Sequence, residues 1–359
     1  MKARGERVLQ LQGGEPFMPT PDFVKEALKR AVDADQTRYA PSSGIAPLLD
    51  AMRSKLSTRN HIETTTDNAI VVNGGAHGLF CAFQVTVNPG DEVMFFSPYW
   101  TPIKDQVTYC GGIPVMVAWD DIRDRADPGV LLEKKLSSRT RVLYVNSPSN
   151  PTGNVLTREQ LQSIAAFATA HDLIVIADEA YEDLVYRGEH VSMASLPSMF
   201  SRTLTVYTLS KSFAMTGWRI GYVVADQAFM GPLRKLVLNS INGVSTPTQF
   251  AALAAIEDRS PYLATMRDEY LRRRDLLVQG FNDAGLRCPS PPGAFYLFPD
   301  VRERLGSDSW KAMEQLLATT SIASVPGLVF GQEGEGHLRM SFSTTMDVIE
   351  EAVEALRKL

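Results

Sequence analysis

Cysteine and histidine are scarce in this sequence. Three cysteines, Cys81, Cys110 and Cys288, lie far apart in 359 residues. Three cannot all pair, so a disulfide framework is excluded and free thiols of a reducing compartment are expected. The five histidines are scattered, with no pair at metal-ligand spacing, so no zinc site is expected. Positive charge is not in excess. Thirty-six Lys and Arg against 41 Asp and Glu leave a net charge of −5, which argues against a nucleic-acid binder built on bulk charge. The one basic cluster, Arg272-Arg273-Arg274, reads as a solvated helix face. Long apolar runs are missing too. The longest uncharged stretch, Leu236 to Ile256, carries Asn239, Ser240, Asn242, Ser245, Thr246, Thr248 and Gln249, which is too polar to span a membrane. The first residues lack the apolar segment of a signal peptide. With 25 glycines and 21 prolines the chain is neither collagen-like nor of low complexity.

What is present is ordinary globular material, 44% hydrophobic and 21% charged, long enough for about two domains at roughly 150 residues each. The expectation is a cytoplasmic protein with a real core. From about residue 69 to 255 strand-like and helix-like segments alternate. Ala69 to Val72, Asp91 to Phe96, Arg141 to Val145, Leu173 to Ala177, Leu204 to Tyr207 and Ile220 to Ala225 read as strands. Between them run amphipathic helical patterns, one with Leu79, Ala82 and Phe83 on a face and one with Leu161, Ile164, Ala165 and Ala168. Thr157 and Gln160 form a capping box that opens the second. Continuous apolar strands between such helices imply an α/β fold whose mostly parallel sheet is covered on both faces. After about residue 256 the pattern changes to a long charged helix, Pro261 to Asn282, then GAFYLF and a second helical segment, which predicts a smaller α+β domain.

Ligands of open α/β sheets sit beyond the carboxyl ends of the strands. After the first strand come Asn73, Gly74, Gly75 and Ala76 at a helix start, where free backbone N–H groups suit an anion; an ordinary turn is the alternative. After Ala177 comes Asp178, either a crevice carboxylate or a helix cap. After Val145 comes NSPSNPTG, whose prolines and glycine alone explain a tight turn. After Tyr207 come Thr208, Leu209, Ser210 and Lys211, among small and apolar neighbours that would lower the pKa of an amine. Together these strand ends gather an anion cradle, a carboxylate, an amide, a phenol and a lysine. That is the inventory needed to hold pyridoxal phosphate: the lysine forms the Schiff base and the carboxylate keeps the pyridine nitrogen protonated.

With these residues in view, the sequence resembles the class I/II aminotransferases of the fold-type-I pyridoxal-phosphate family, bacterial aspartate aminotransferases above all. The motifs are GGEP at 13–16, YAPSSG at 39–44, GGA at 74–76, SPYW at 97–100, NPTG at 150–153, DEAY at 178–181, SKSFAMTGWRIG at 210–221 and GxGxxRxSF at 334–342. The resemblance implies a large cofactor-binding domain over residues 38–255 and a small domain from 1–37 and 256–359. It implies that Lys211 carries the Schiff base and moves the proton, that Asp178 pairs with the ring nitrogen, and that Tyr181 and Asn150 bind the 3′-oxygen. Trp100 would stack on the ring. Gly75, Ala76, Thr208, Ser210 and Arg219 would hold the phosphate, and Tyr39 would reach the phosphate of the neighbouring subunit in a homodimer with shared active sites. Arg339 would clamp the substrate α-carboxylate as a bidentate fork, with Gly14, Trp100 and Asn150 lining the same site.

The implied reaction is transfer of an amino group from an L-amino acid to a 2-oxo acid, 2-oxoglutarate first among them, in two ping-pong halves. No metal, nucleic acid or membrane is implied. The sequence departs from the family where relatives read GEPDF and this chain has Phe17 and Met18, and where Thr101, Pro102 and Ile103 follow Trp100. By resemblance these lie near the substrate entrance and leave room for apolar or aromatic side chains. A carbon–sulfur lyase on the same fold is the alternative enzyme, betrayed by thiol or ammonia release without an acceptor. A non-catalytic sensor would need an added DNA-binding domain, for which the sequence leaves no expected room.

Overall fold

In a computed structural model the structure describes residues 5, 7–118 and 127–359. Twelve strands occur among them: β1 Leu9–Gln10, β2 Ala69–Val72, β3 Glu92–Ser97, β4 Ile113–Ala118, β5 Thr140–Asn146, β6 Ile174–Asp178, β7 Thr203–Thr208, β8 Gly221–Val224, β9 Tyr296–Leu297, β10 Ile322–Ala323, β11 Val325–Pro326 and β12 Leu338–Ser341. Seven of them form one sheet in the order β2-β8-β7-β6-β5-β3-β4. Strands β3, β4, β5, β6 and β7 pair in parallel, while β8 runs antiparallel to both β2 and β7. The result is the α/β architecture expected from the sequence.

The apolar runs form strands because both faces of the sheet are covered. On one face Ile70, Val72, Phe95, Tyr144, Ile176 and Val206 pack with Leu79 and Phe83 of helix Gly75–Thr86 and Leu233 and Val237 of helix Gln227–Ile241. On the other, Met94, Leu143, Val145 and Val175 meet Leu161, Ile164 and Ala168 of helix Arg158–Ala170. Thr157 caps that helix, and its capping box with Gln160 is formed. The uncharged stretch 236–256 is divided by Asn242 in a left-handed conformation, between helices Gln227–Ile241 and Thr246–Glu257. No described helix is long and apolar enough to cross a membrane.

The C-terminal part is α+β. A three-stranded antiparallel sheet, β11-β12-β9, and helices Tyr262–Asp283 and Met346–Leu356 enclose a second core of Tyr270, Phe281, Phe295, Tyr296, Met340 and Phe342. Leu9 and Leu11 join this core from the other end of the chain, and β1 pairs in parallel with β10.

Two expectations require correction. Arg272-Arg273-Arg274 is not a uniformly solvated face. Arg273 is 6% exposed; it donates to the Thr344 carbonyl at 2.9 Å, pairs with Glu269 and lies 3.8 Å from the centroid of the Phe17 ring. Arg274 donates to the Pro291 carbonyl and covers the Tyr186 ring. Helix Tyr262–Asp283 turns about 100° per residue, so three consecutive positions cannot share a face, and two of these guanidiniums cover aromatic rings. Ile103 is likewise no entrance residue: it is fully buried in the core beneath helix Pro102–Tyr109.

Arg273→Ala should therefore lower unfolding stability by about 2–3 kcal/mol, because it removes a buried side chain that donates to the Thr344 carbonyl and covers the Phe17 ring. Arg272→Ala should stay within about 0.5 kcal/mol. Denaturant titration of both variants checks this, and equal losses would contradict the burial difference.

Candidate active site

Strand direction decides which residues meet. All strands of the large sheet except β8 run one way, so their carboxyl ends align at one edge. There Asn146 pairs with Asp178, the last residues of β5 and β6. Strand β8 is reversed, so its first residue lies at that same edge: Gly221 is the register partner of both Val72 and Thr208. Arg219, two residues ahead of it, is thereby delivered to the turn after β2. Gly221 has to be glycine, since a Cβ would sit 2.5 Å from the Tyr207 carbonyl oxygen.

The turn after β2 is shaped for an anion. Gly74 has a φ of +80°, and a Cβ there would come within 2.4 Å of the Arg219 guanidinium. Helix Gly75–Thr86 starts at this point with no side-chain cap on its first N–H groups. Arg219 donates to the carbonyls of Thr216 and Asn73 and forms no ion pair among the described residues. Thr208 Oγ1 accepts from the Ser210 amide at 3.2 Å and donates to the Ser210 hydroxyl at 2.9 Å. These hydroxyls face the same cavity as Gly75, Ala76 and Arg219.

Asp178 sits in the floor of the cavity and is 6% exposed. Its Oδ1 accepts from the Ala180 amide at 3.2 Å and its Oδ2 from the Tyr144 hydroxyl at 2.7 Å. It has no ion-pair partner among the described residues. Burial pushes its carboxyl up to about 6, and the Tyr144 donor opposes that rise. Lys211 lies on the short helix Leu209–Ser212 and donates to the Gly14 carbonyl at 2.7 Å. Burial pushes its amine down to about 8, against the opposing pull of Glu15. The Tyr181 hydroxyl is 2.9 Å from that of Tyr296, and burial raises both phenols.

Arg339, on β12, faces the cavity from the C-terminal part. Its guanidinium lies 4.7 Å from the Tyr296 ring centroid and 4.9 Å from that of Phe330. It donates to Asn150 Oδ1 at 3.2 Å and to the Gln12 carbonyl at 2.8 Å, and its buried Nε has no partner. A planar cation gripped between two rings is oriented but not neutralised.

One cavity of about 420 Å³ collects Gly14, Gly75, Ala76, Trp100, Asn150, Asp178, Tyr181, Thr208, Ser210, Lys211, Arg219 and Arg339. Every site residue expected from the sequence lies in its lining except Tyr39, which is 89% exposed and outside it. Glu15, Asn146 and Tyr296 also line the cavity and were not singled out from the sequence; Tyr144 lies directly behind it. The two-residue alternation of a strand carried a signal for Tyr144, which shares a face with Asn146 in β5. Thr101 and Pro102 line a separate shallow groove with Tyr109.

The sequence model of the family described as aminotransferase class I and II matches residues 6–356. An aspartate aminotransferase from Pyrococcus abyssi is 38% identical over 359 residues, spanning 98% of this chain and 91% of that protein. An aromatic-amino-acid aminotransferase from Thermococcus litoralis is 36% identical, spanning 99% and 92%. A solved structure of a double mutant of Thermus thermophilus aspartate aminotransferase superposes with a TM-score of 0.95 at 36% identity, covering 100% of this chain and 93% of its own. The architecture is that of the fold-type-I aminotransferases. A cavity where strand ends, a reversed strand and the C-terminal sheet converge, and likeness over nearly the whole chain, lead to one statement: this chain belongs to the class I and II aminotransferase family, whose members use pyridoxal phosphate.

Proposed function

We propose that this chain binds pyridoxal 5′-phosphate and transfers the amino group of an L-amino acid to a 2-oxo acid, 2-oxoglutarate first, in two ping-pong halves at one site. The observation that carries the reading is Asp178, a buried carboxylate without a cationic partner among the described residues, in one cavity with the desolvated amine of Lys211. A buried anion of this kind is costly unless a cation completes it, and a protonated pyridine nitrogen is such a cation. The uncapped helix start, Arg219 and the Thr208 and Ser210 hydroxyls suit a phosphate in the same way. The residues present therefore fit the cofactor.

When bound, pyridoxal phosphate supplies an electron-poor ring that accepts charge developing at the substrate Cα. The remaining work falls to the chain. Lys211 would hold the cofactor covalently through its ε-amine and, once freed, move the proton between the substrate Cα and the cofactor C4′. Its lowered pKa suits that task near neutral pH. Asp178 would keep the ring nitrogen protonated. Tyr181 and Asn150 would donate to the 3′-oxygen, and Trp100 would cover a ring face. Gly75, Ala76, Thr208, Ser210 and Arg219 would hold the phosphate. Arg339 would bind the substrate α-carboxylate beside Gly14, exchanging its bond to Asn150 for the fork it is oriented to make. The exposure of Tyr39 supports a homodimer in which it reaches the partner's phosphate site. Pairing of β1 with β10 supports a small domain that joins the start of the chain to residues 256–359, beside a large one of 38–255; within residues 1–37, helix Asp22–Asp33 packs instead on helix Thr246–Glu257 of the large part. None of the relatives named above carries a lyase name.

Two outcomes test the reading. In the folded protein the Lys211 amine loses its proton near pH 8, whereas in the unfolded chain it does so near the ordinary lysine value of 10.5. Between these values the unfolded chain binds the extra proton, so stability of the cofactor-free protein rises with pH across that window. Below it the burial cost is present in full. Lys211→Met should thus stabilise the cofactor-free protein at pH 7 by roughly 1–3 kcal/mol in denaturant titration, while abolishing transamination and borohydride fixation of the cofactor. Unchanged turnover would remove Lys211 from the mechanism.

Arg339→Ala should lower kcat/KM by roughly 10²–10³-fold, about 3–4 kcal/mol, for acidic, aromatic and aliphatic donors alike. Cofactor affinity should be unaltered. A loss confined to dicarboxylic donors would place Arg339 at the side-chain end of the substrate.

A further inference from the structure

We propose that Tyr144 is a positioning residue for the cofactor ring: its hydroxyl, reaching Asp178 from the neighbouring strand, holds that carboxylate ionised and aimed at the ring nitrogen. The inference rests on the cofactor assignment above and adds a residue to it. Tyr144 is the register partner of Ile176, two residues before the Asn146–Asp178 pair at the strand ends. Paired residues, and residues two apart, share a face, so the ring of Tyr144 runs along the sheet toward Asp178. Its hydroxyl lies 2.7 Å from Oδ2. The ring is buried among Phe83, Phe95 and Ile103, with the Phe83 centroid 6.1 Å away. It is fixed by packing before it makes its hydrogen bond.

Among the described residues Tyr144 is the one side chain that donates to Asp178; the other oxygen is served by the Ala180 amide. The titratable groups that face Asp178 are Tyr144 on β5, Glu179 and Tyr181 on the turn after β6, and Lys211 after β7. Glu179 and burial disfavour the anion, whereas Lys211 and the two donors favour it. Burial and the adjacent carboxylate hold the Tyr144 phenol well above its ordinary pKa, so it keeps its proton and acts only as a donor. Hydrogen bonds to an anion in a dry site are among the stronger ones available to a protein. An aliphatic residue at position 144 would leave Oδ2 unserved.

The test is the dissociation constant of pyridoxal phosphate, followed by absorbance across pH. The proteins are wild type, Tyr144→Phe, Asp178→Asn and the double variant. Tyr144→Phe should weaken binding about tenfold near neutral pH. Without its donor the carboxylate protonates more readily, so the pH below which affinity falls should rise by about one unit. In the Asp178→Asn background the same substitution should change affinity less than about twofold, because Tyr144 then has no anion to act on. Tyr144→Leu, which removes the whole ring, serves as the second variant, with the same dependence on Asp178 expected. Wild-type affinity and pH midpoint in Tyr144→Phe would overturn the inference. So would an equal loss in both backgrounds, which would reduce Tyr144 to packing. Failure of the cofactor assignment reads differently: the wild type would not bind pyridoxal phosphate, or Asp178→Asn would bind it unweakened.

Discussion

The arrangement of this protein turns on one buried carboxylate. Asp178 ends a strand flanked on both sides by parallel neighbours, in the floor of a cavity, with a phenol and an amide as donors and no ion-pair partner among the described residues. Removing an anion from water without a counter-charge is expensive. The chain tolerates it because two donors and the nearby Lys211 share the cost, and because a cationic ring nitrogen would complete the site. Lys211 carries the mirror of that burden, an amine held below its usual pKa by burial. Both groups are held away from their ordinary pKa by burial, a pattern that is common at functional sites.

The sheet topology makes that cavity possible. Were β8 parallel like its neighbours, the residues before it would emerge at the opposite edge, and Arg219 would be far from the glycine turn after β2. Reversal of one strand brings a cation, a helix start and two hydroxyls to one spot. Behind the cavity a second polar layer fixes the turn after β6. Glu179 accepts from the Ser192 hydroxyl and the Met193 amide and pairs with His190, while Glu182 takes the buried Lys55 amine. These contacts hold the segment 178–182, so that Asp178 and Tyr181 are presented rigidly from one turn. The C-terminal part adds Arg339 clasped by Tyr296 and Phe330, and Tyr296 also touches Tyr181.

Much of this was legible in the sequence because local chemistry and global fold agree. The apolar runs around Val71, Val175 and Val206 became buried strands, the Thr157–Gln160 box became a cap, and the residues after the strands converged. What escaped was information carried by register and tertiary packing. Tyr144 reads as one more apolar strand residue until pairing sets it two steps before Asp178. Tyr296 is hidden in an aromatic run whose facing partners come from distant segments. The arginine triplet misleads because composition gives charge but not helix phase, and only the fold places Phe17 under Arg273. Ile103 lies three residues after a tryptophan that lines the cavity yet turns into the core, since the helix that begins at Pro102 buries that position. Tyr39 lies outside the cavity because its ring faces solvent, so the phosphate contact expected of it would have to be made on a second copy of the chain.

The central claim is that Asp178 and its surroundings are built to hold a protonated pyridine nitrogen. The most direct measurement is the nitrogen-15 chemical shift of pyridoxal phosphate labelled at the ring nitrogen and bound to the wild-type protein at neutral pH. The account predicts the shift of a pyridinium, retained well above the pH at which the free cofactor loses that proton. The shift of a neutral pyridine in the bound state would contradict it.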